Sequence, residues 1–468
     1  MATIAGTQPA QEELRKLGLA PRYVPTHHDF ATVTTRVTNV VLGPPSPVWI
    51  ALFLFSGTLM TVFAGVVIFI LITGVGIWGI NIPVAWGFAI TCFVWWIGIG
   101  HAGTLISAFL LLMHQPWRTS INRLAEAMTI FAVMTAGIFP LIHLGRPWFF
   151  YWLLPYPNTM SIWPQFRSAL VWDVFAVSTY FSVSLLFWYM GMIPDLATFR
   201  DRSTTPLRRA IYGIFAMGWR NSARHWYRYE VTYKLLAGLA TPLVVSVHSV
   251  VSADFAMALI PGWHETVFPP YFVAGAIFSG FAMVIVLCVI IRRAYGLEDF
   301  ITDDHLDVMG RLLLATSLIT SYGYLAEQTV TYYGGDPFDV HLYWYRLTNF
   351  DKYAWFVWLL FTCNTIAPQV LWFRAIRRSQ VALLAVSLIV LVGMWFERYM
   401  IITSSLSEDF LPSSYGFFKP TLWDLLTYFG SIGFFLVPFL LFVRFLPVMS
   451  IAEMKAQLPG AHGAEVGR

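Results

Sequence analysis

Charged residues are scarce in this sequence. Only 12% of its 468 residues are Asp, Glu, Lys or Arg, whereas 57% are hydrophobic. A soluble domain usually has about 25% charged residues. The mean hydropathy of +0.65 agrees with this balance. The composition therefore excludes a soluble globular protein and predicts an all-α, polytopic membrane protein, for which we expect a lipid bilayer and no nucleic acid as partner.

Cysteine is also rare, and the three cysteines are far apart. Cys92, Cys288 and Cys363 each lie in an apolar segment, and no CxxC pair occurs. The sequence therefore supports neither a disulfide framework nor a protein-borne iron–sulfur cluster, and we expect no metal ligand set. No cleavable signal peptide is visible, so internal apolar segments must direct membrane insertion.

Apolar segments of membrane-spanning length recur along the chain. A helix needs about 20 mostly apolar residues to cross the hydrocarbon core. Ten segments meet this length: 47–72, 84–112, 122–144, 168–193, 231–258, 271–292, 306–333, 353–373, 380–403 and 421–446. We expect polar tails over 1–46 and 447–468 and a transmembrane domain over 47–446. Within that domain, residues 84–258 and 271–403 are predicted to form two four-helix bundles, with the first and last spans peripheral.

Positive charge is distributed unequally between the connections. With both termini inside, the inner connections contain Arg118, Arg123, Arg200, Arg202, Arg208, Arg209, Arg220, Arg224, Arg228, Arg292, Arg293, Arg374, Arg377 and Arg378. The outer connections contain only Arg146, Arg167, Arg346, Lys352 and Lys419. The positive-inside rule therefore places both termini in the cytoplasm. The aromatic outer connections 145–167 and 334–352 suit contact with an extramembrane partner.

The segment GIGHAG at 98–103 matches the GxGxxG pattern but lies in the middle of an apolar span. Nucleotide binding by this motif requires a strand before it and a helix after it. We therefore interpret these glycines as sites of close helix packing.

Three histidines, His101, His143 and His248, lie inside predicted spans. A haem needs two ligands at a similar depth in neighbouring helices. His101 lies about three residues inward of its span centre and His248 about three residues outward, which is a mismatch of about 9 Å. We therefore expect no b-type haem.

One face of the span 306–333 is polar. The residues at helical spacing on this face are Ser317, Thr320, Tyr324, Glu327 or Gln328, and Thr331. Such side chains form hydrogen bonds between membrane helices. An ionisable residue at membrane depth also suits a hydrated proton path. Both interpretations stay open.

Three ionisable residues from successive spans share one predicted depth near the outer surface. His143 lies near the outer end of its span, and Asp173 and Asp254 lie at similar depths in the next two. Ionisable residues in spans usually face the bundle interior or a cavity. They form either a structural His–Asp pair or a proton-accepting pocket of the kind that a redox-active quinol needs. Aromatic residues available to line such a pocket are Trp148, Trp172 and Phe255.

Two longer segments connect these residues to a known family. The stretch WIGIGHAGTLISAFLLLMHQPWRTSINRLAEAMTIFAVMTAGIFPLIHLGRPW resembles the polysulfide-reductase NrfD family of quinol-interacting membrane subunits. The segments HLGRPWFFYW and SALVWDVFA resemble more specifically the C subunit of bacterial alternative complex III. The resemblance extends over most of the ten spans.

The resemblance implies an enzyme subunit in the bacterial cytoplasmic membrane. Such subunits bind menaquinol or ubiquinol near the outer face and hold no haem or iron–sulfur cluster of their own. Their electrons pass to an extrinsic iron–sulfur subunit on the periplasmic side. A multihaem cytochrome c subunit, a second NrfD-like membrane subunit and other small membrane subunits complete the complex, which reduces a periplasmic cytochrome c or copper protein.

The resemblance also implies roles for particular residues. By motif, the catalytic residues are His143 and Asp173, with Asp254 resting on a shorter match. The quinol-binding set comprises His143, Arg146, Trp148, Trp172, Asp173, Asp254 and Phe255. A proton path through the two bundles is assigned to His101, Glu126, His248, Asp307, Tyr324, Glu327, Glu397 and Arg398.

Two other functions are compatible with ten spans. A secondary transporter favours helices broken near the membrane midplane, but Pro242 and Pro368 lie near the ends of their spans. A structural anchor gives no reason for three ionisable residues at one depth. Transport in liposomes tests the first alternative, and co-purification of a quinone tests the second.

The charge distribution predicts the orientation of the arginine-rich connection. Thr204→Cys should be protected from an impermeant thiol reagent in intact cells, because so many arginines in a short connection resist translocation. Asn349→Cys, in a predicted outer connection, serves as the labelled control. Labelling of Thr204→Cys from outside would reverse the predicted topology.

Overall fold

The computed structural model describes residues 28–154 and 167–458. Residues 1–27 and 459–468 of the predicted tails, and residues 155–166 of a predicted outer connection, lie outside these ranges. Within the described ranges, all regular secondary structure is helical.

The helices are numbered here in chain order. They are α1 (Phe30–Leu42), α2 (Pro47–Thr73), α3 (Phe88–Leu112), α4 (Asn122–His143), α5 (Ala169–Arg202), α6 (Pro206–Phe215), α7 (Ala223–Ala256), α8 (Phe268–Tyr295), α9 (Asp303–Gly334), α10 (Pro337–Thr348), α11 (Ala354–Trp372), α12 (Arg374–Arg378), α13 (Gln380–Ser407), α14 (Leu422–Phe445) and α15 (Ile451–Ala456). Helix α3 contains one wide π-type turn at Leu105–Phe109, and α11 contains one at Thr362–Ile366 before a 3-10 segment.

Nine helices in the described part of the chain are long and apolar enough to cross a bilayer: α2, α3, α4, α5, α7, α8, α11, α13 and α14. The chain is therefore a multi-pass membrane protein. The remaining predicted span, 306–333, does form a helix, α9, of 32 residues. Hydroxyl and charged side chains recur along α9, so it falls short of the apolarity of the other nine. A tenth crossing and the orientation of the termini stay predictions.

Two helices extend well beyond the spans predicted for them. Helices α5 and α7 have 34 residues each, or about 51 Å at 1.5 Å per residue, whereas the hydrocarbon core is about 30 Å thick. The predicted bounds 168–193 and 231–258 mark only the apolar parts. Hydropathy falls at the first charged residues, but the helices continue to Ser203 and begin after Ser222, whose hydroxyl accepts a hydrogen bond from the His225 amide.

The spanning helices pack in two groups and one pair. Helices α3, α4, α5 and α7 lie against one another, and α8, α9, α11 and α13 form the second group. Helix α2 packs along α14 at the side of the first group, and α3 packs directly against α8. The α3–α8 contact therefore joins the two groups.

Close approach at α3 depends on glycine. Every residue of α3 from Phe88 to Thr104 is buried. A Cβ atom at Gly103 would overlap the Ala125 carbonyl oxygen and the Thr129 hydroxyl of α4. Likewise, a Cβ atom at Gly280 of α8 would overlap the side chain of Ala102. The interpretation of GIGHAG as a helix-packing segment is therefore confirmed.

The packing at Gly103 gives a stability prediction. Gly103→Ala should lower the free energy of unfolding by about 1–3 kcal/mol, because the extra methyl group forces α3 away from α4. The matched control is Gly137→Ala in α4, where a Cβ atom has no heavy atom within 4 Å. The measurement is thermal unfolding of the purified protein. Equal midpoints for the two variants would show that α3 and α4 are not held at this distance.

Candidate functional site

The end of the first group of helices that contains His143 also contains two aspartates. Helix α4 ends at His143, α5 has Asp173 in its second turn, and α7 has Asp254 in its last turn. The side chains of Asp173 and Asp254 form a hydrogen bond with each other. A carboxylate only accepts hydrogen bonds, so this contact requires a proton between the two groups. The pair is therefore a shared-proton site.

His143 is half-buried and has an aromatic neighbour. Its ring stacks on Trp78, with centroids 6.4 Å apart and planes at 13°. Trp78 follows α2 and was not singled out from the sequence, because nothing in the local pattern indicates which residue covers a histidine on another helix. Within residues 28–154 and 167–458, the hydrogen-bond partner of Asp173 is Asp254 rather than His143.

Three polar atoms at this end lack partners. His143 Nδ1, Asp173 Oδ1 and Asp254 Oδ1 are buried, and none has a hydrogen-bond partner among the described residues. Most buried polar side-chain atoms in proteins have at least one partner. An acceptor nitrogen and two carboxyl oxygens therefore remain available to a ligand with hydroxyl groups.

The predicted lining residues have different environments. Phe255 is buried among Trp86, Trp263 and Phe272, with ring centroids 6.1, 5.0 and 5.6 Å away. Trp172 is half-buried. By contrast, Arg146 and Trp148 are exposed beyond the end of α4. Phe255 thus belongs to the apolar wall, and the two exposed residues lie on the surface next to His143.

The predicted depth mismatch between His101 and His248 is wrong. Their rings meet with centroids 4.6 Å apart, and Tyr180 stacks on His101 at 5.2 Å. The error arises because span centres were taken from hydropathy, whereas helix tilt and register determine which residues meet. The argument against a haem is lost with the mismatch, and the absence of haem stays a prediction.

A buried ionic cluster lies at the opposite end of the same helices. Arg123 is fully buried, 2.8 Å from Glu126 and 3.9 Å from Asp195, and Tyr233 donates a hydrogen bond to Glu126 at 3.1 Å. The predicted path residue Glu126 is thus an ion-pair partner. Arg123 was interpreted only as an inner charge, although its i, i+3 spacing from Glu126 indicates a pair. Asp195 was missed because it lies beyond the predicted span 168–193.

Three of the predicted path residues of the second group meet at one point. Tyr324 donates a hydrogen bond to Glu397, and the Asn364 amide donates to the Tyr324 hydroxyl at 2.8 Å. Arg398 lies 3.0 Å from Glu397 and over the Phe272 ring at 4.1 Å. Tyr324, Asn364, Glu397 and Arg398 are called the α9–α13 cluster below.

The other two predicted path residues of this group lie apart from the α9–α13 cluster. Glu327 forms an ion pair with Arg346 of α10 at 3.5 Å. Asp307, at the far end of α9, is held by Arg311 and by Arg377 at 2.7 Å. The five residues are therefore distributed over three sites.

A cleft opens beside the α9–α13 cluster. It encloses about 650 Å³, open space included, and its lining includes Tyr324, Glu327, Arg346 and Glu397. Near its outer rim, Thr331 donates a hydrogen bond to Glu265 at 2.9 Å, and burial raises the pKa of Glu265. The polar face of α9 thus forms interhelical hydrogen bonds and also borders a cleft, so both interpretations of this face remain compatible with the structure.

The hydrogen bond between Asp173 and Asp254 gives a second stability prediction. Asp173→Ala and Asp254→Ala should each lower the free energy of unfolding by about 1–3 kcal/mol, because the remaining buried carboxyl loses its partner. The double variant should cost clearly less than the sum, since the residues contact each other. Thermal unfolding measures all three, with exposed Asp351→Ala as the background. Additive effects would show that the two carboxyl groups do not interact.

Comparison with known proteins places the chain in a family. The profile of the family described as "Polysulphide reductase, NrfD" matches residues 76–407, which is more than half of the chain. A protein of Halobacterium salinarum named as the C-type membrane subunit of a dimethyl sulfoxide reductase is 26% identical over 51% of this chain and 53% of its own length. The C-type subunit of the selenate reductase of Mesobacillus selenatarsenatis is 24% identical over 43% and 47%.

The chain spans about half the length of the curated relatives it matches. The profile match, in contrast, runs from the segment before α3 to the end of α13 and so includes both groups of helices. The chain therefore belongs to the polysulphide reductase NrfD family of membrane subunits.

Proposed function

We propose that this chain is the quinol-oxidising membrane subunit of an alternative complex III in a bacterial cytoplasmic membrane. One observation carries the proposal: the unpartnered buried atoms on His143, Asp173 and Asp254 at one end of three adjacent helices. These atoms match the two hydroxyl groups of a quinol, and Phe255 with its aromatic neighbours supplies an apolar wall. The residues present therefore fit menaquinol or ubiquinol.

The chemistry follows from what these side chains can accept. Oxidation of a quinol releases two electrons and two protons. Neutral His143 accepts a hydrogen bond and then a proton at Nδ1, since the imidazole pKa lies near neutrality in water. The carboxyl pair already shares one proton, so it has capacity for a second. Proton acceptors within hydrogen-bond reach of the reacting group are the requirement for this chemistry.

The electron path requires partners. We propose an extrinsic iron–sulfur subunit on the outer side, with a multihaem cytochrome c subunit, a second NrfD-like membrane subunit and small membrane subunits. Arg146 and Trp148 support this placement, because they are exposed next to His143 and are able to contact a docked protein.

The names of the relatives favour one further candidate. Both are named as subunits of reductases, for dimethyl sulfoxide and selenate. A membrane subunit of such a reductase would use the same quinol site with a different terminal acceptor. Turnover of the intact complex with a periplasmic cytochrome c or copper protein, compared with turnover on a sulfoxide or an oxyanion, distinguishes the two.

Proton conduction through the bundles is a separate part of the proposal. His101 and His248 in contact, Glu126 beside Tyr233, and the α9–α13 cluster are polar sites inside otherwise apolar helix groups. Ionisable residues at such positions commonly belong to proton relays. These sites support a path in principle, and the path itself stays a prediction.

The quinol site predicts a graded loss of activity. His143→Ala should lower quinol:acceptor turnover about 100- to 10,000-fold, the usual contribution of an acid–base group, while the partner subunits stay bound. Asp173→Asn should slow turnover and change its pH dependence, because a group that cannot take up a proton replaces half of the carboxyl pair. The double variant should be little worse than His143→Ala, since residues that act as a unit are not additive.

The measurement is turnover across pH on membranes that contain matched amounts of the complex. His264→Ala is the control, because His264 is a half-exposed histidine in the connection that follows α7. Tyr324→Phe tests the other cleft. If His143→Ala keeps wild-type turnover and Tyr324→Phe loses it, quinol reacts in the second group of helices and the proposed site is wrong.

A further inference from the structure

Helix α6 lies in the basic connection and exposes an apolar stripe. Leu207, Ile211, Ile214 and Phe215 recur at i, i+4, i+7 and i+8, and all four are exposed. The opposite face is attached to the protein through Tyr212, whose hydroxyl donates to the Phe445 carbonyl oxygen at 3.0 Å. A short helix with one apolar face and basic neighbours is typical of the membrane interface.

A groove lies beside this helix, between α5 and α7. It encloses about 510 Å³, open space included. Its apolar lining comes from Met190, Ile193, Met217 and Trp219, and its polar lining from His225, Arg228, Tyr229 and Thr232. An apolar wall next to a cationic end suits a ligand that is itself amphiphilic.

Two polar groups of the groove are ready to donate hydrogen bonds. Tyr229 is only 6% exposed, and its hydroxyl has no hydrogen-bond partner in the described ranges. His225 Nδ1 accepts from the Arg220 amide at 3.2 Å, so the ring proton is on Nε2 and is free for another acceptor. Both groups therefore suit an acceptor-rich, negatively charged ligand.

The surrounding positive charge is uncompensated. Arg220, Arg224 and Arg228 have no ion pair within the part of the chain described, whereas nearby Arg200 lies 2.8 Å from Asp201. Arg224 and Arg228 are four residues apart and so lie on one face of α7. An anion at the mouth of the groove would be attracted by both arginines.

We propose that this groove binds an anionic phospholipid. Arg224 and Arg228 attract the phosphate group, and His225 and Tyr229 donate hydrogen bonds to its oxygens. The acyl chains lie against Met190 and Ile193 and beside the exposed stripe of α6. Basic pockets between membrane helices commonly bind such head groups. The site lies at the ends of α5 and α7 remote from Asp173 and Asp254, so it is independent of the proposed quinol site.

The test uses the intact complex after delipidation in detergent. Dioleoyl phosphatidylglycerol or dioleoyl phosphatidylcholine is added in mixed micelles, and bound lipid is counted by native mass spectrometry. Arg224→Gln with Arg228→Gln should weaken phosphatidylglycerol binding about thirtyfold, at about fivefold per arginine. Tyr229→Phe should weaken it about tenfold, because a hydrogen bond to a charged group is lost without any change in net charge.

The matched control is Arg293→Gln with Arg374→Gln. It removes the same charge from two exposed arginines at the same end of the helices, and neither has an ion pair among the described residues. This variant should bind lipid within about twofold of wild type, as expected for surface charges away from a site. Thermal unfolding without lipid checks that all variants are folded.

Four results would overturn the proposal. Equal losses in the two double variants would mean that the lipid responds to surface charge only. Equal binding of phosphatidylcholine would remove the requirement for an anion. Full competition by millimolar inorganic phosphate would identify a free anion as the ligand. Loss of a partner protein from the Arg224→Gln, Arg228→Gln complex, with no lipid bound by wild type, would identify a protein segment as the occupant.

Discussion

The arrangement of the molecule depends on how closely α3 approaches its neighbours. Lipid tails are as apolar as leucine, so membrane helices associate through packing rather than through the hydrophobic effect. Helix α3 achieves this with small residues, at Gly103 against α4 and at Ala102 against Gly280 of α8. Because the same helix faces both groups, its glycines set the distance within the first group and the junction to the second. The contact between His101 and His248 is one consequence.

The second constraint is the cost of ionisable groups inside a membrane protein. Charged side chains within spans are expensive and pair with one another or face cavities. Arg123 has Glu126 and Asp195, Glu397 has Arg398 and Tyr324, and each of these groups is enclosed by protein. The pair of Asp173 and Asp254 differs from them, since it has no cation and retains unpartnered oxygens. Of these clusters, it is therefore the one that best suits exchange of protons with a ligand.

The two longest helices connect chemically different ends. Helices α5 and α7 contribute the aspartate pair at one end and a series of arginines at the other. Their length exceeds the hydrocarbon thickness, so their basic ends extend into the interface, where α6 lies beside them. A rigid pair of helices thus separates the proposed proton-accepting site from the proposed lipid site by the full width of the membrane.

The sequence by itself determined the membrane class, the positions of nine apolar helices, the packing role of GIGHAG and the family. It also brought His143, Asp173 and Asp254 to one end, because alternating spans return successive helix ends to the same surface. These properties depend on residue type and spacing along one segment. Hydropathy measures the transfer of a segment into the bilayer, and it contains no information on helix rotation or tilt.

Only the tertiary structure decided which side chains meet. It joined Asp173 to Asp254, covered His143 with Trp78, brought His101 onto His248 and added Asp195 and Arg346 to buried clusters. Each of these contacts joins residues on different helices. Their formation depends on the rotation, tilt and register that packing imposes, and a shift of one residue along a helix turns a side chain by about 100° away from its partner.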